Sequence, residues 1–220
     1  MSPSNSRRRR SHKKKTNNKK RIMIVSLLVV FVVVAIVGYI MLGIGNSGEN
    51  DSNTNADSLP STNKVELVTS MGNIMIELRD DMPITTNNFK KLVQDGVYDN
   101  TVFHRVVNLP QNLVIIQGGD PNGNGISDDS IPAIPDEFSD SPENNKNERG
   151  TIAMANAGAN TGSSQFFING AYNSHLDNVH PVFGDVIEGM DVVDAILQVD
   201  TDENGRPVED VTLFTADFVD

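Results

Sequence analysis

Three short segments carry most of the information in this chain: Phe103-His104-Arg105-Val106-Val107, Gln117-Gly118-Gly119-Asp120 and the stretch from Met154 to Ile168. They place one arginine and two glutamines on apolar runs of the kind that form β-strands. They contain no obvious nucleophile, no acid–base pair and no cluster of metal ligands. Side chains of these types are better suited to holding and twisting a peptide than to cutting one.

The charges divide the chain into two dissimilar parts. Ten of its 18 Lys and Arg residues lie between Arg7 and Arg21, and no Asp or Glu occurs before Glu49. All 29 acidic residues therefore belong to the rest of the chain, a contrast that is rare within one globule. The chain has no Cys, which excludes disulfides, thiol catalysis and zinc–thiolate sites.

An apolar segment follows the basic block. Residues 22–45 carry no charge, and at about 1.5 Å per residue such a helix spans a bilayer core of about 30 Å. The alternative is a cleaved signal peptide, whose apolar region is normally about 7–15 residues long. We expect an uncleaved anchor in the cell membrane, with residues 1–21 in the cytoplasm and the remainder outside. A nucleic-acid partner for the basic block is not expected.

The remainder of the chain changes from a polar to a globular pattern at Lys64. Residues 46–63 are rich in Asn, Ser, Asp and Thr, which predicts a flexible linker. Alternating apolar residues on both sides of a turn at Ser70–Asn73 then predict a β-hairpin. A short helix should follow, with Thr85 or Thr86 as its N-cap and Gly96 at its end.

The rest of the globular region shows many short strand patterns and a second helix. The predicted elements are strands at 102–107, 113–117, 151–155, 165–168 and 182–187, a helix at Met190–Leu197 and a closing strand at Val211–Phe218. Many strands, few helices and turns rich in Gly and Asn predict a mainly β closed barrel or sandwich.

Arg105 is the first candidate for chemistry. In a continuous strand over 102–107, alternate residues share a face, so Phe103, Arg105 and Val107 should point one way and His104 the other. One interpretation is an edge arginine with a packed stem and a solvated head. The other is a fixed cation beside an apolar groove. We interpret His104 as a structural histidine.

No metal or cofactor is expected. His175 and His180 lie five residues apart without an evident third ligand. Two segments that begin at Asp120 and Asp200 imitate calcium loops, but Ile131 and Val211 stand where the bidentate glutamate is required. We interpret both segments as turns. The chain also lacks the Gly-x-Ser-x-Gly elbow of serine hydrolases.

Taken together, the three segments closely resemble the cyclophilin family of peptidyl-prolyl isomerases. The resemblance covers residues 64–220, and the order and approximate spacing of the segments agree with the family. It implies a closed eight-stranded antiparallel barrel with a helix capping each end. In this chain that domain would be preceded by one transmembrane helix and the linker.

The resemblance also implies the roles of individual residues. Arg105 and Gln165 would be the catalytic residues, with Gln165 supporting Arg105 and the bound peptide. The substrate-binding residues would be Phe103, Val114, Ile115, Gln117, Ala155, Asn156, Ala157, Phe167, Leu176 and His180. Among these, Gln117 and Asn156 would hold the peptide main chain, and the last three would form the pocket for the proline ring.

Three departures from the family concern this site. The segment between Arg105 and Gln117 is longer than usual, and its extra residues Asn108-Leu109-Pro110-Gln111 should make a longer loop. Val114 and Ile115 stand in place of the usual Phe and Met, so that Leu113 or Leu109 could fill the pocket instead. His175 replaces the Trp of cyclosporin-sensitive members, which predicts weak cyclosporin binding.

The resemblance implies a peptidyl-prolyl cis-trans isomerase that assists the folding of proline-containing polypeptides outside the cytoplasm. The catalytic domain should be monomeric and should need no cofactor. The alternative is a peptide-binding or chaperone-like module with little isomerase activity, which the altered Phe position favours.

Overall fold

Nine short strands and two α-helices make up residues 58–220, the part of the chain that the computed structural model describes. The strands are β1 (Lys64–Thr69), β2 (Gly72–Leu78), β3 (Thr101–Val102), β4 (Arg105–Leu109), β5 (Leu113–Gly118), β6 (Thr151–Met154), β7 (Phe166–Asn169), β8 (Val182–Glu188) and β9 (Thr212–Val219). The α-helices are α1 (Pro83–Gln94) and α2 (Met190–Ile196), and two 3-10 helices cover Pro142–Asn145 and Ser174–Leu176.

The predicted tail (1–21), anchor (22–45) and most of the linker lie outside the described residues. Within residues 58–220, neither α-helix has the length and apolar character needed to cross a membrane. The end of the predicted linker is attached to the domain. Thr62 Oγ1 donates to the Val219 carbonyl at 2.6 Å, and the buried Lys90 amine donates to the Pro60 carbonyl and to Asn63 Oδ1. Residues 60–63, the end of the predicted linker, are therefore part of the folded domain.

The strands form one curled antiparallel sheet in the order β3-β9-β1-β2-β8-β6-β7-β5-β4. This confirms a mainly β fold with two helices, but it corrects the prediction of a closed eight-stranded barrel. The predicted strand at 102–107 is broken at Phe103 and His104. Its first half, β3, pairs with β9, whereas its second half, β4, pairs with β5. The two ends of the sheet are thus joined by the polypeptide and by one isolated bridge between Val102 and Asp120, and not by a continuous ladder of hydrogen bonds.

The main core lies on the inner face of this sheet. Alternate residues of each strand enter it, as Val65 and Leu67 do in β1 and Ile74 and Ile76 in β2. Its centre is aromatic, with edge-to-face or tilted contacts among Phe89, Tyr98, Phe103, Phe166 and Phe183. Burial of these large rings contributes strongly to the stability of the domain.

Helix α1 begins earlier than predicted. Its first residue is Pro83, whose fixed φ and missing N–H suit the first helical position. The N-cap is Met82, and the Glu137 carboxylate accepts hydrogen bonds from the Ile84 and Thr85 N–H groups at 3.1 and 2.9 Å. A distant glutamate therefore replaces the predicted threonine cap. The helix ends as predicted, before Gly96 at φ 67°.

Strands β4 and β5 form a hairpin that is longer than predicted. Asn108 pairs with Val114, and Leu109 pairs with Leu113. Asn108 and Leu109 therefore extend β4. Pro110 and Gln111 lie in a tight turn, which a hydrogen bond from the Asn112 N–H to the Leu109 carbonyl closes.

Candidate active site

A second, smaller apolar cluster lies on the outer face of the sheet. It consists of the buried residues Ile115, Ala153, Phe167 and Val182, with Val107, Leu113, Ala155 and Leu176 packed around them. We call this set the outer cluster. Its members alternate along β5, β6, β7 and β8 with residues of the main core, so the two sets lie on opposite faces of one sheet.

A row of polar side chains borders the outer cluster. Arg105 and Gln117 are directly opposite in the β4–β5 ladder, and Arg105 Nη1 donates to Gln117 Oε1 at 3.3 Å. Gln117 Nε2 in turn donates to Gln165 Oε1 at 3.0 Å. Arg105 is exposed, whereas Gln165 is only 7% exposed. The buried glutamine thus reaches the arginine through Gln117 and not directly.

The loop at Gly205 approaches β4 closely beside Arg105. Gly205 has a φ of 82°, and a Cβ at this position would lie 2.9 Å from the Val106 carbonyl and 3.8 Å from Arg105 Cγ. The Val106 N–H donates to the Gly205 carbonyl at 2.7 Å. Only glycine allows the loop to run this close to β4 in this conformation.

The structure separates Phe103 from Arg105. Because the chain is irregular at Phe103 and His104, the period of two does not continue across them, and both Phe103 and Val106 enter the main core. Phe103 is 1% exposed and contacts the Phe166 ring edge to face. This corrects the prediction that it shares a face with Arg105, and it places Phe103 away from the groove surface.

Of the two leucines that the sequence offered, Leu113 lies on the outer face of β5, next to Ile115. Counting back from Gln117 in steps of two gives Ile115 and Leu113, and both belong to the outer cluster. Val114 points the other way, into the main core. This corrects the predicted placement of Val114, and strict alternation from Gln117 would have found it.

Phe167, Leu176 and His180 come together as predicted from the resemblance. The rings of Phe167 and His180 meet edge to face with centroids 5.3 Å apart, and Leu176 packs on the outer cluster. His180 Nδ1 lies 3.1 Å from the Met154 carbonyl, so this nitrogen carries the proton and donates. Burial lowers the pKa of His180, and the hydrogen bond to Met154 opposes this shift.

The segment after β6 forms the other side of the groove. Ala155 is partly buried on the outer cluster and donates its N–H to the Gln165 carbonyl, and Ala157 is exposed. The Asn156 side-chain amide donates to the Val179 carbonyl at 2.9 Å. This bond ties Asn156 to the loop before His180.

His104 is buried behind the polar row, in agreement with a structural role. Within residues 58–220, neither of its ring nitrogens makes a hydrogen bond of normal geometry. Burial is the main cause of a lowered pKa for His104. The negative charge of Asp120 opposes this lowering, and the Gln165 side chain is near enough to favour the protonated ring slightly and so oppose it as well. The Asp120 carboxylate itself accepts the Asn122, Asn124 and Gly125 N–H groups and forms a turn.

Sequence reasoning missed a buried asparagine network behind the pocket. Asn173 Nδ2 donates to Asn169 Oδ1 at 2.7 Å, and Asn169 Nδ2 donates to Asn147 Oδ1 at 3.2 Å. Asn173 also bonds both the N–H and the carbonyl of Val114, each at 3.1 Å. The network thereby fixes β5 beside Leu113 and Ile115. No local pattern of spacing marks these three residues.

The arrangement can bind an extended peptide without reacting with it. Arg105 and Gln117 offer hydrogen bonds at one edge, and the outer cluster offers an apolar pocket beside them. Within residues 58–220, no group of three or more acidic or histidine side chains is placed to hold a metal ion. A cation hydrogen-bonded beside an apolar cluster on an antiparallel sheet is the arrangement of a peptide-binding protein that holds an apolar side chain of its ligand.

Comparison with known proteins identifies the family. Residues 64–217 match the model of the cyclophilin type peptidyl-prolyl cis-trans isomerases. The chain belongs to this family. Its activity is that of a peptidyl-prolyl cis-trans isomerase, the enzyme named for relatives at about 40% identity.

Two relatives and one solved structure illustrate the similarity. Peptidyl-prolyl cis-trans isomerase ppi1 of Schizosaccharomyces pombe is 42% identical over 155 residues, which are 69% of this chain and 96% of the relative. Peptidyl-prolyl cis-trans isomerase-like 1 of Gibberella zeae is 41% identical over 160 residues, 72% of this chain and 96% of the relative. A Cryptosporidium parvum cyclophilin type isomerase, crystallised in the presence of the dipeptide Ala-Pro, matches with a TM-score of 0.63 and 29% identity over 70% of this chain and 96% of that one.

Proposed function

We propose that Arg105 carries the isomerisation of X–Pro bonds in polypeptides that lie along the groove. The observation behind this proposal is the position of the Arg105 guanidinium, hydrogen-bonded to Gln117 at the edge of the outer cluster. A proline ring over Ile115 and Phe167 has its preceding peptide bond within reach of that cation.

The reaction needs a group that favours the twisted peptide bond. Resonance holds the X–Pro bond planar with a barrier of about 18–20 kcal/mol. At the twisted transition state the prolyl nitrogen regains a lone pair. A guanidinium that donates to this nitrogen, or to the adjacent carbonyl, stabilises the twisted state more than the planar ones.

The pocket supplies the second requirement, which is a grip on one side of the rotating bond. Phe167, Leu176 and His180 enclose the proline ring while the preceding carbonyl swings. An acceleration of about 10⁵ corresponds to roughly 7 kcal/mol of differential binding. A charged donor at the edge of a dry pocket contributes much of this without a covalent intermediate.

Exchange NMR on an X–Pro peptide tests the role of Arg105. We expect Arg105→Ala to lose most of the catalysed cis–trans exchange, while the circular dichroism spectrum and the melting temperature stay close to those of the wild type. Arg105→Lys should recover little, because an ammonium does not reproduce the planar fork of donors. Equal exchange rates for the wild type and Arg105→Ala would exclude Arg105 as the catalytic group.

We also propose that residues 22–45 anchor a monomeric catalytic domain at the outer side of the cell membrane, where its substrates are extracytoplasmic polypeptides that contain proline. The support is the basic block before an uncharged segment. Protease added to intact cells should remove the domain and spare residues 1–21. Complete protection of the domain would contradict this topology, and a dimer in solution would contradict the monomer.

A further inference from the structure

The β4–β5 hairpin extends past the proposed proline pocket, and the apolar face that holds the outer cluster continues along it. The pairs Arg105–Gln117, Val107–Ile115 and Leu109–Leu113 are in register and two residues apart. They therefore share one face of the hairpin. Val107, Ile115 and Leu113 all belong to the outer cluster. Leu109 is directly opposite Leu113, so it lies on the same face.

Leu109 is the exposed end of this apolar row. Its side chain is 54% exposed, while Leu113 beside it is partly buried. The row from Val107 to Leu109 is thus a continuation of the pocket floor and not an isolated surface leucine. A cross-strand pair of leucines offers a contact that an additional apolar side chain could cover.

The hairpin end is held in place. Asn108 Nδ2 donates to the Leu197 carbonyl at 3.1 Å at the end of α2. The neighbouring Val114 is fixed by Asn173 through its N–H and by the Gly170 N–H through its carbonyl. A surface that is already ordered costs little conformational entropy when it binds.

The spacing places this surface within reach of a bound substrate. At about 3.3 Å per residue, the Leu109–Leu113 pair lies about 7 Å from Val107–Ile115 and about 13 Å from Arg105–Gln117. An extended peptide that runs along the hairpin with its proline over Ile115 has the same rise, and its residue two positions from the proline then lies over the pair. No residue between Arg105 and Asp120 carries a charge, so the surface selects by apolar contact.

We infer that Leu109 and Leu113 form a substrate subsite for an apolar side chain about two residues from the proline. This inference rests on the proposed function of the groove, and it adds a preference that Arg105 and the proline pocket do not provide. Contacts of this kind are made equally in the ground and transition states. The subsite therefore lowers KM and leaves kcat unchanged.

Four proline peptides test the subsite with the full chain. They carry Leu or Ser at the second position before or after the proline and are otherwise identical. For one of the two positions, the wild type should show a KM about fivefold lower for Leu than for Ser. Leu109→Ala should abolish this ratio without changing kcat. Ile84→Ala, which removes an exposed aliphatic side chain from α1, should leave the ratio unchanged.

A charged variant provides an independent readout. Leu109→Lys should reverse the preference, with a peptide that carries Glu at the same position binding more tightly than the Leu peptide. Equal KM values for Leu and Ser peptides at both positions in the wild type, or an unchanged ratio in Leu109→Ala, would overturn the subsite.

Arg105→Ala separates failure of the subsite from failure of the proposed function. If this variant loses turnover while Leu109→Ala retains the Leu/Ser ratio, the catalytic proposal stands and the subsite is wrong. If Arg105→Ala turns over normally, the catalytic proposal fails. The subsite is then tested by the dissociation constants of the same peptides, measured by NMR titration. Tighter binding of the Leu peptide than of the Ser peptide in the wild type, lost in Leu109→Ala, supports the subsite. Equal dissociation constants in the wild type, or a ratio that Leu109→Ala retains, overturn it.

Discussion

Gln165 reaches Arg105 only through Gln117. Arg105 Nη1 donates to Gln117 Oε1, and Gln117 Nε2 donates to Gln165 Oε1. The orientation of the Gln117 amide is therefore set from the buried side by Gln165. This order makes Gln165 a positioning residue for Arg105, whose proposed catalytic role its loss would affect indirectly.

Gln165→Leu should reduce kcat/KM by about tenfold, the equivalent of one neutral hydrogen bond of about 1–1.5 kcal/mol. The leucine keeps the volume but offers no acceptor, so the Gln117 amide is free to turn away from Arg105. Gln165→Glu retains an acceptor and should keep more activity. Equal losses in both variants, measured by exchange NMR, would indicate a packing effect instead.

Activity should fall as the pH drops below the lowered pKa of His180. Burial keeps this pKa below the ordinary value of 6.5, so the ring is neutral at pH 7 and gains a charge beside Phe167 only in more acidic solution. The charge disfavours an apolar proline ring in the pocket. Profiles of kcat/KM between about pH 5 and 8 should show this fall in the wild type and lose it in His180→Phe.

Stability should respond to the same titration. The unfolded chain binds the proton at the ordinary pKa and the folded chain at a lower one, so stability is complete above pH 6.5 and decreases as the pH falls toward the folded pKa. Urea unfolding should show a smaller decrease in His180→Phe. Buried His104 acts in the same direction in both proteins, so a residual decrease is expected.

Asn173→Ala should destabilise the domain by about 2–4 kcal/mol. The change leaves two groups without a hydrogen-bond partner, the buried Val114 N–H and Asn169 Oδ1. Asn173 is 2% exposed. Asn87→Ala on the exposed face of α1 serves as the control and should change stability by less than about 0.5 kcal/mol. Equal unfolding free energies for the two variants would show that the network contributes little.

Cyclosporin should inhibit the enzyme weakly. His175 is exposed on the 3-10 helix Ser174–Leu176, and it lacks the indole N–H and broad apolar surface expected beside the inhibitor. His175→Trp should increase the inhibition, while Ile84→Trp on α1 should not. Tight inhibition of the wild type that is unchanged in His175→Trp would contradict this prediction.

The sequence by itself determined where most elements lie and which residues deserve attention. Hairpin β1–β2, strands β5 to β9 and both helices fall close to the predicted positions because alternation and turn residues are local signals. Arg105, Gln117 and Gln165 stood out for a similar reason, since polar side chains on apolar strands need an explanation. The motifs also identified the family that the comparisons show.

Only the tertiary structure decided how these residues face one another. The break at Phe103 and His104 exists because β3 pairs with β9 and β4 with β5, which are contacts between distant parts of the chain. That break moved Phe103 into the core and left the sheet open. The hydrogen bonds between Asn173 and Val114 likewise join residues that are 59 positions apart in the chain. A period of two specifies alternation within a strand, but long-range pairing fixes where the alternation is interrupted and which face becomes the groove.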